Sequence, residues 1–131
     1  MMNVKIDTKE KFTVITPIEA EITANMTGEL RDLLLESIDK PVPHVILNMK
    51  NVQSISNETG GAIIASQRQL NEKNCSFVVC ELNKNVQDVL NEGEWLAVMN
   101  ITLTESEAWD IVQMEEIERE LMKDLDNNET E

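Results

Sequence analysis

The stretch Val45-Ile46-Leu47-Asn48-Met49-Lys50-Asn51-Val52-Gln53-Ser54-Ile55-Ser56-Asn57-Glu58-Thr59-Gly60-Gly61 decides the fold. Its first five residues are nearly all apolar, the pattern of a strand covered on both faces. A polar turn follows, in which Ser54, Ser56 and Asn57 each suit the N-cap of a helix. That helix is predicted from about Glu58 to Asn74, with Ala62, Ile63, Ala65, Ser66 and Leu70 as its inner face. Gly60 and Gly61 open it, although glycine costs about 1 kcal/mol relative to alanine inside a helix. Two glycines in a first turn imply a close approach there, by a strand or by a partner.

Upstream, Val4-Lys5-Ile6-Asp7 and Phe12-Thr13-Val14-Ile15-Thr16 alternate around the short polar link Thr8-Lys9-Glu10-Lys11, which predicts a hairpin. Pro17 ends its second strand, having no N–H to donate to a ladder. Met26, Leu30, Leu33, Leu34 and Ile38 recur at helical spacing and predict a helix from about Asn25 to Ile38, stopped by Pro41 and Pro43. Downstream, Ser76 to Leu82 reads as a strand. Asn83 caps a short helix, Lys84 to Asn91, that Gly93 closes. Ile101-Thr102-Leu103-Thr104 is a short edge strand. A last helix starts at Thr104 or Ser106, with Ile111, Met114, Ile117, Leu121 and Leu125 at spacings of three and four.

The order β-β-α-β-α-β-α-β-α predicts an α/β fold: a small mixed, mostly parallel β-sheet with an N-terminal antiparallel hairpin and about four helices packed on it. The chain of 131 residues reads as one domain over residues 1–125, including a long C-terminal helix from about 105, with an acidic frayed tail at 126–131.

Charge and cysteine content narrow the function. Net charge is -14, with 25 acidic against 11 basic residues, so phosphate-rich nucleic acid is a poor partner. No stretch approaches the roughly 20 apolar residues of a membrane span, and the N-terminus lacks a secretory pattern; a cytoplasmic, soluble protein is expected, with no direct membrane insertion. The acid is uneven: residues 105–131 hold eleven acidic and two basic side chains, a net of −9, against −5 for the first 104 residues. Cys75 and Cys80 lie on one predicted strand at about 16 Å and on opposite faces, too far apart for a disulfide. His44 is the sole histidine, in a loop before a strand and without a partner motif, so neither His-based catalysis nor a metal site is expected. No phosphate loop follows Gly60-Gly61, and neither an enzyme activity nor a cofactor is called for.

The quoted stretch also resembles the core of STAS domains, the family of bacterial anti-sigma-factor antagonists, whose pattern is an apolar strand, Asp-x-x-x-Val, then Ile-Asp-Ser-Ser-Gly-x-Gly opening a helix. The resemblance covers about residues 4 to 115, including the Glu29-Leu30 helix start, the Phe77 strand and the Val86 helix. It implies a regulatory protein-binding module acting in transcription regulation. Its partner would be an anti-sigma factor, a kinase-like protein or another scaffold. The regulatory residues carried over are Ser54, Ser56, Asn57, Glu58, Thr59, Gly60 and Gly61.

The chain departs from the pattern at points that bear on switching. Ser56-Asn57-Glu58-Thr59 stands where the family has Asp-Ser-Ser-Gly, so the phosphorylation motif is degenerate and Glu58 occupies the phosphoserine position. Gly61 matches the second glycine, Asn48 replaces the strand-end aspartate, and Thr23 stands where many members have Asp. A first-turn anion is stabilised by roughly 0.3–1 kcal/mol. Glu58 is therefore either an ordinary helix-start acid or a permanent imitation of the phosphorylated state. Thr59 and Ser56 are the candidate phosphoacceptors. An alternative with the same fold is a cytosolic subunit of a lipid- or anion-transport complex. The acidic C-terminal helix, beyond Val112, has apolar residues left to dock on a second subunit as a homodimer or on a basic partner.

Overall fold

The computed structural model describes residues 2–129, without the side chains of residue 124 and of residues 126–129. Strands β1 (Val4–Thr8) and β2 (Thr13–Pro17) form the antiparallel hairpin, with Val4 opposite Pro17 and Thr8 opposite Thr13. Pro17 is the last residue of β2, where its missing N–H disrupts no further ladder. Strand β4 (Val45–Asn48) runs parallel to β2, β6 (Phe77–Cys80) parallel to β4, and β7 (Ile101–Thr102) parallel to β6. The resulting five-stranded sheet has the order β1-β2-β4-β6-β7. It is the small, mostly parallel sheet with an antiparallel hairpin that the alternation of elements predicts.

Strand period sorts the core into two faces. Val45, Leu47, Phe77 and Val79 join Leu30, Leu34, Ile63, Leu70, Val86 and Leu90 in one buried cluster. That face is covered by α1 (Thr27–Leu35), α2 (Asn57–Glu72) and α3 (Lys84–Glu92). Ile46, Val78 and Cys80 point the other way, to Phe12, Val14, Ala108 and Val112. The long helix α4 (Glu105–Glu129) covers this second face. Helices thus lie on both sides of the sheet, and β4 and β6 are buried throughout. Cys75 and Cys80 are free and belong to opposite faces. Burial, followed by the nearby Glu105 and Glu81 carboxylates, pushes the Cys80 thiol up to about 12.

Several local expectations are corrected. The first helix is composite: a 3₁₀ turn at Ala24–Met26, α1, then a second 3₁₀ turn at Glu36–Asp39. In α2, Ile64 and Gln67 are buried while Ala65 is only half-buried. Gly93 closes α3, as the sequence predicts, with an ordinary right-handed φ of -79°; the left-handed residue is Glu94 at 63°. Helix α4 continues to Glu129, so the part of the 126–131 tail that falls within the described residues is helical. Residues 130 and 131 lie outside them. The two-residue strands β3 (Glu21–Ile22) and β5 (Ser54–Ile55) pair in parallel as a separate ribbon that the sequence did not announce.

Candidate functional site

The turn before α2 is held from both sides. On one side the β3–β5 ribbon sets its position: the Ser54 N–H donates to Ala20 O at 3.2 Å, and the Ser56 N–H donates to Ile22 O at 3.1 Å. On the other, Asn83 donates through Nδ2 to Val52 O at 3.2 Å and Gln53 O at 3.1 Å, while its Oδ1 caps α3 by accepting the Val86 N–H at 2.9 Å. One asparagine therefore ties the turn to the neighbouring helix.

Ser56 is the N-cap of α2. Its backbone is extended, with φ −80° and ψ 165°, and its Oγ accepts the Thr59 N–H at 3.1 Å. This satisfies one of the orphan donors of the first turn. The Thr59 hydroxyl donates to Ile22 O at 3.2 Å, which leaves its oxygen to accept from the Ser56 hydroxyl at 2.8 Å. Thr59 is fully buried. Of the two hydroxyls named as candidate phosphoacceptors, Ser56 reaches the surface and Thr59 does not; a kinase would have to unlatch the turn from β3 to reach Thr59. Ser54 is half-buried, and its Oγ lies 3.4 Å from Glu21 Oε2. Thr23 precedes the Ala24–Met26 turn but makes no side-chain cap bond.

Asn57 and Glu58 are the exposed residues of this first turn, with Glu58 its acid. The fixed charge therefore sits outward at the positive end of α2, above a rigid floor of Ser56 and Thr59. A recess of about 260 Å³ lined by Glu21, Thr23, Ser54 and Ser56 lies beside it. Among the described residues, no group of three or more His, Cys, Asp or Glu is placed to hold a metal ion.

The glycines find their reason in Trp95, to which no pattern in the sequence assigns a role. A Cβ at Gly60 would lie 2.5 Å from Trp95 Cζ3, and one at Gly93 equally close to the same atom. At Gly61 the nearest ring atoms are 3.7 Å and 3.8 Å away, an ordinary contact. The close approach expected at Gly60-Gly61 is therefore internal: the indole fills a notch between the starts and ends of two helices. The signal in the sequence was there, as two costly glycines and one tryptophan, but nothing local connects them. Gly60→Ala is expected to destabilise by about 1–3 kcal/mol through overpacking. Gly61→Ala is expected to be neutral or to stabilise by up to about 1 kcal/mol through helix propensity. Denaturant melts of the two variants, followed by tryptophan fluorescence, check the contrast.

The strand-end residue Asn48 is 2% exposed. It donates through Nδ2 to Glu105 Oε1 at 2.9 Å and accepts the Lys50 N–H through Oδ1 at 2.9 Å. Glu105 also accepts from Trp109 Nε1 at 3.1 Å, and its own N–H donates to Glu81 Oε2 at 3.0 Å. The start of α4 is thus anchored on Asn48. His44, which the sequence places in a loop before a strand without a partner motif, is buried and has two hydrogen-bond partners: its Nδ1 accepts the Ser76 N–H at 3.0 Å, and Nε2 lies 2.6 Å from Glu116 Oε2. The first contact requires an unprotonated Nδ1, so Nε2 carries the hydrogen and donates it to Glu116. Arg119 completes the cluster by donating to Ser76 Oγ at 2.8 Å. These groups lie on the α4 side, away from the Ser56 turn, and form a structural clamp.

Comparison with known proteins adds the following. The STAS domain family model matches residues 3–108. The chain is 24% identical over 102 residues to an anti-sigma F factor antagonist from Paenibacillus polymyxa, covering 76% of this chain and 87% of that protein. Among solved structures, a putative anti-sigma factor antagonist from Thermotoga maritima superposes with a TM-score of 0.75 at 18% identity, over 84% of this chain and 94% of that one. A serine-to-glutamate variant of RsbS from Moorella thermoacetica superposes with a TM-score of 0.71 at 17% identity, over 84% and 94%. At these identities the structures establish the fold. The match to the family model spans most of the chain and every strand and helix through the first turn of α4. The chain belongs to the STAS domain family.

Proposed function

We propose that the chain is a non-enzymatic regulatory module of the anti-sigma-factor-antagonist kind, and that its partner contacts the Ser54–Gly61 turn and the outer face of α2. Its partner is an anti-sigma factor, a kinase-like protein or a comparable scaffold. The observation that carries this reading is the architecture of the turn. Asn57 and Glu58 are presented outward on a first turn whose cap, floor and flank are all hydrogen-bonded. A preformed surface of this sort binds without having to order a loop first.

Glu58 gives the surface a built-in state. A phosphoserine brings about −1.5 to −2 charges and glutamate about −1, both favoured by the unpaired N–H groups of a helix start. The module accordingly stays in the binding mode that phosphorylation confers on a serine at this position. The test begins by recovering the partner from the native cell with tagged protein and identifying it by mass spectrometry. Its affinity is then measured for the unmodified chain and for Glu58→Ser. About a ten-fold change is expected, together with a one-phosphate gain in intact mass when the variant is incubated with the partner and ATP. Equal affinities for the two forms would overturn the locked state. Equal affinity for a Glu58→Arg form as well would remove the turn from the interface.

A further inference from the structure

The last helix carries a second surface that the sheet does not use. At about 100° per residue, Ala108, Trp109, Glu116 and Arg119 all fall within about 60° of Val112. This is the face that packs: Ala108 and Val112 are buried, Glu116 holds His44 and Arg119 holds Ser76. On the same reckoning Met114, Ile117, Leu121 and Leu125 centre about 180° away. They point directly outward, each between 55% and 58% exposed. From Met114 onward, and unlike Ile111, which packs on the core, the apolar stripe of the sequence is therefore not an overflow of the core. It lies on the opposite side of the helix from the core contacts.

Charge decides what fits it. The exposed acids Glu107, Asp110 and Glu118 share the outward half of the helix with the stripe. The helix's two basic residues, Arg119 and Lys123, fall on the inward half. A second copy docked here would set these acids against their own counterparts, a like-charge apposition that costs affinity. An anionic lipid surface would be repelled for the same reason. A helix with apolar residues at spacings of three and four, flanked by Lys and Arg, would bury the stripe and pair its acidic margins.

We propose that the outward face of α4 is a docking surface for a basic amphipathic helix of a protein partner. It is on the far side of the sheet from the Ser54–Gly61 turn, so both surfaces are accessible together and the inference stands apart from the role proposed for that turn.

The test uses the full chain and a synthetic helical peptide of about 20 residues, with leucines at three-four spacing flanked by lysine and arginine. A counterpart peptide carries glutamate in place of every basic residue. Fluorescence anisotropy of the labelled peptides is expected to show binding of the basic peptide alone. Its affinity should weaken about ten-fold from 50 to 500 mM salt. It should weaken at least about ten-fold in a chain carrying Ile117→Gln and Leu121→Gln, which keep charge and helix propensity at exposed positions. Glu58→Ser should leave it unchanged. Undiminished binding by the double variant, or equal binding of the acidic peptide, would overturn the proposal. So would a dimer in light scattering that the same two substitutions dissociate, which would give the face to a second copy. Partition of the chain onto neutral phosphatidylcholine vesicles, abolished by those substitutions, would give it to a membrane.

Discussion

Replacing Asn48 by aspartate is expected to lower the unfolding free energy by roughly 2–4 kcal/mol at neutral pH, or the melting temperature by about 10 °C. The native amide makes two bonds, and they respond differently. The Oδ1 bond from the Lys50 N–H survives the change, because a carboxylate oxygen still accepts. The Nδ2 bond to Glu105 Oε1 at 2.9 Å becomes a contact between two carboxylates. With the residue 2% exposed, water does little to screen them. Each carboxyl then favours its proton, so the folded-state pKa of the pair rises above the unfolded value. The sign follows: the deficit is fully present above the raised value and shrinks as pH falls below it, where one shared proton restores the bond. Thermal melts of the variant at pH 7.5 and pH 5 check both the size and the slope. Adding Glu105→Gln should return most of the loss, since its amide can donate to the new carboxylate. A melting temperature unchanged by Asn48→Asp would mean that α4 is not anchored here.

The second large effect is expected at His44. Truncation to alanine leaves the Ser76 N–H without its acceptor, the Glu116 carboxylate without its donor and a cavity beneath α4. A loss of about 2–4 kcal/mol follows from these terms together. His44→Asn separates them, because its carbonyl oxygen sits close to where Nδ1 does and can still accept from Ser76. It is too short to reach Glu116. The asparagine variant should therefore keep the strand end and lose mainly the attachment of α4, at roughly half the cost. Hydrogen exchange makes the distinction directly: protection of amides beyond Val112 should fall in both variants, and protection around Ser76 only in His44→Ala. Equal loss at both places in the two variants would break this assignment.

Local patterns in the chain carried the fold a long way. Alternation in the hairpin, the unbroken apolar run at Val45 and the helical spacings that follow it are each set within a few residues. They survive in the structure with shifts only at element ends. The pair β3–β5 was invisible because two residues cannot show a period, and their pairing depends on chain 33 residues apart, as between Glu21 and Ser54. At the candidate site, Ser56 was legible as one of three possible caps, and only the hydrogen bond to the Thr59 N–H selected it. Trp95 was missed because its notch is assembled from Gly60 and Gly93, which meet only when α2 and α3 pack.

Sequence alone determined the element order, the parity that sends Cys75 and Cys80 to opposite faces, and the excess of acid in the last helix. Those properties depend on composition and on periods of two and 3.6, which every short segment carries within itself. Tertiary structure alone decided which side of α4 faces the sheet. Helical spacing marks Met114, Ile117, Leu121 and Leu125 as one stripe but says nothing about its direction. That direction is set by Asn48 bonding Glu105 across 57 residues and by His44 bonding Glu116 across 72. These two polar anchors, together with Ala108, Trp109, Ile111 and Val112 packed on the core, hold the helix so that Met114, Ile117, Leu121 and Leu125 are left facing solvent.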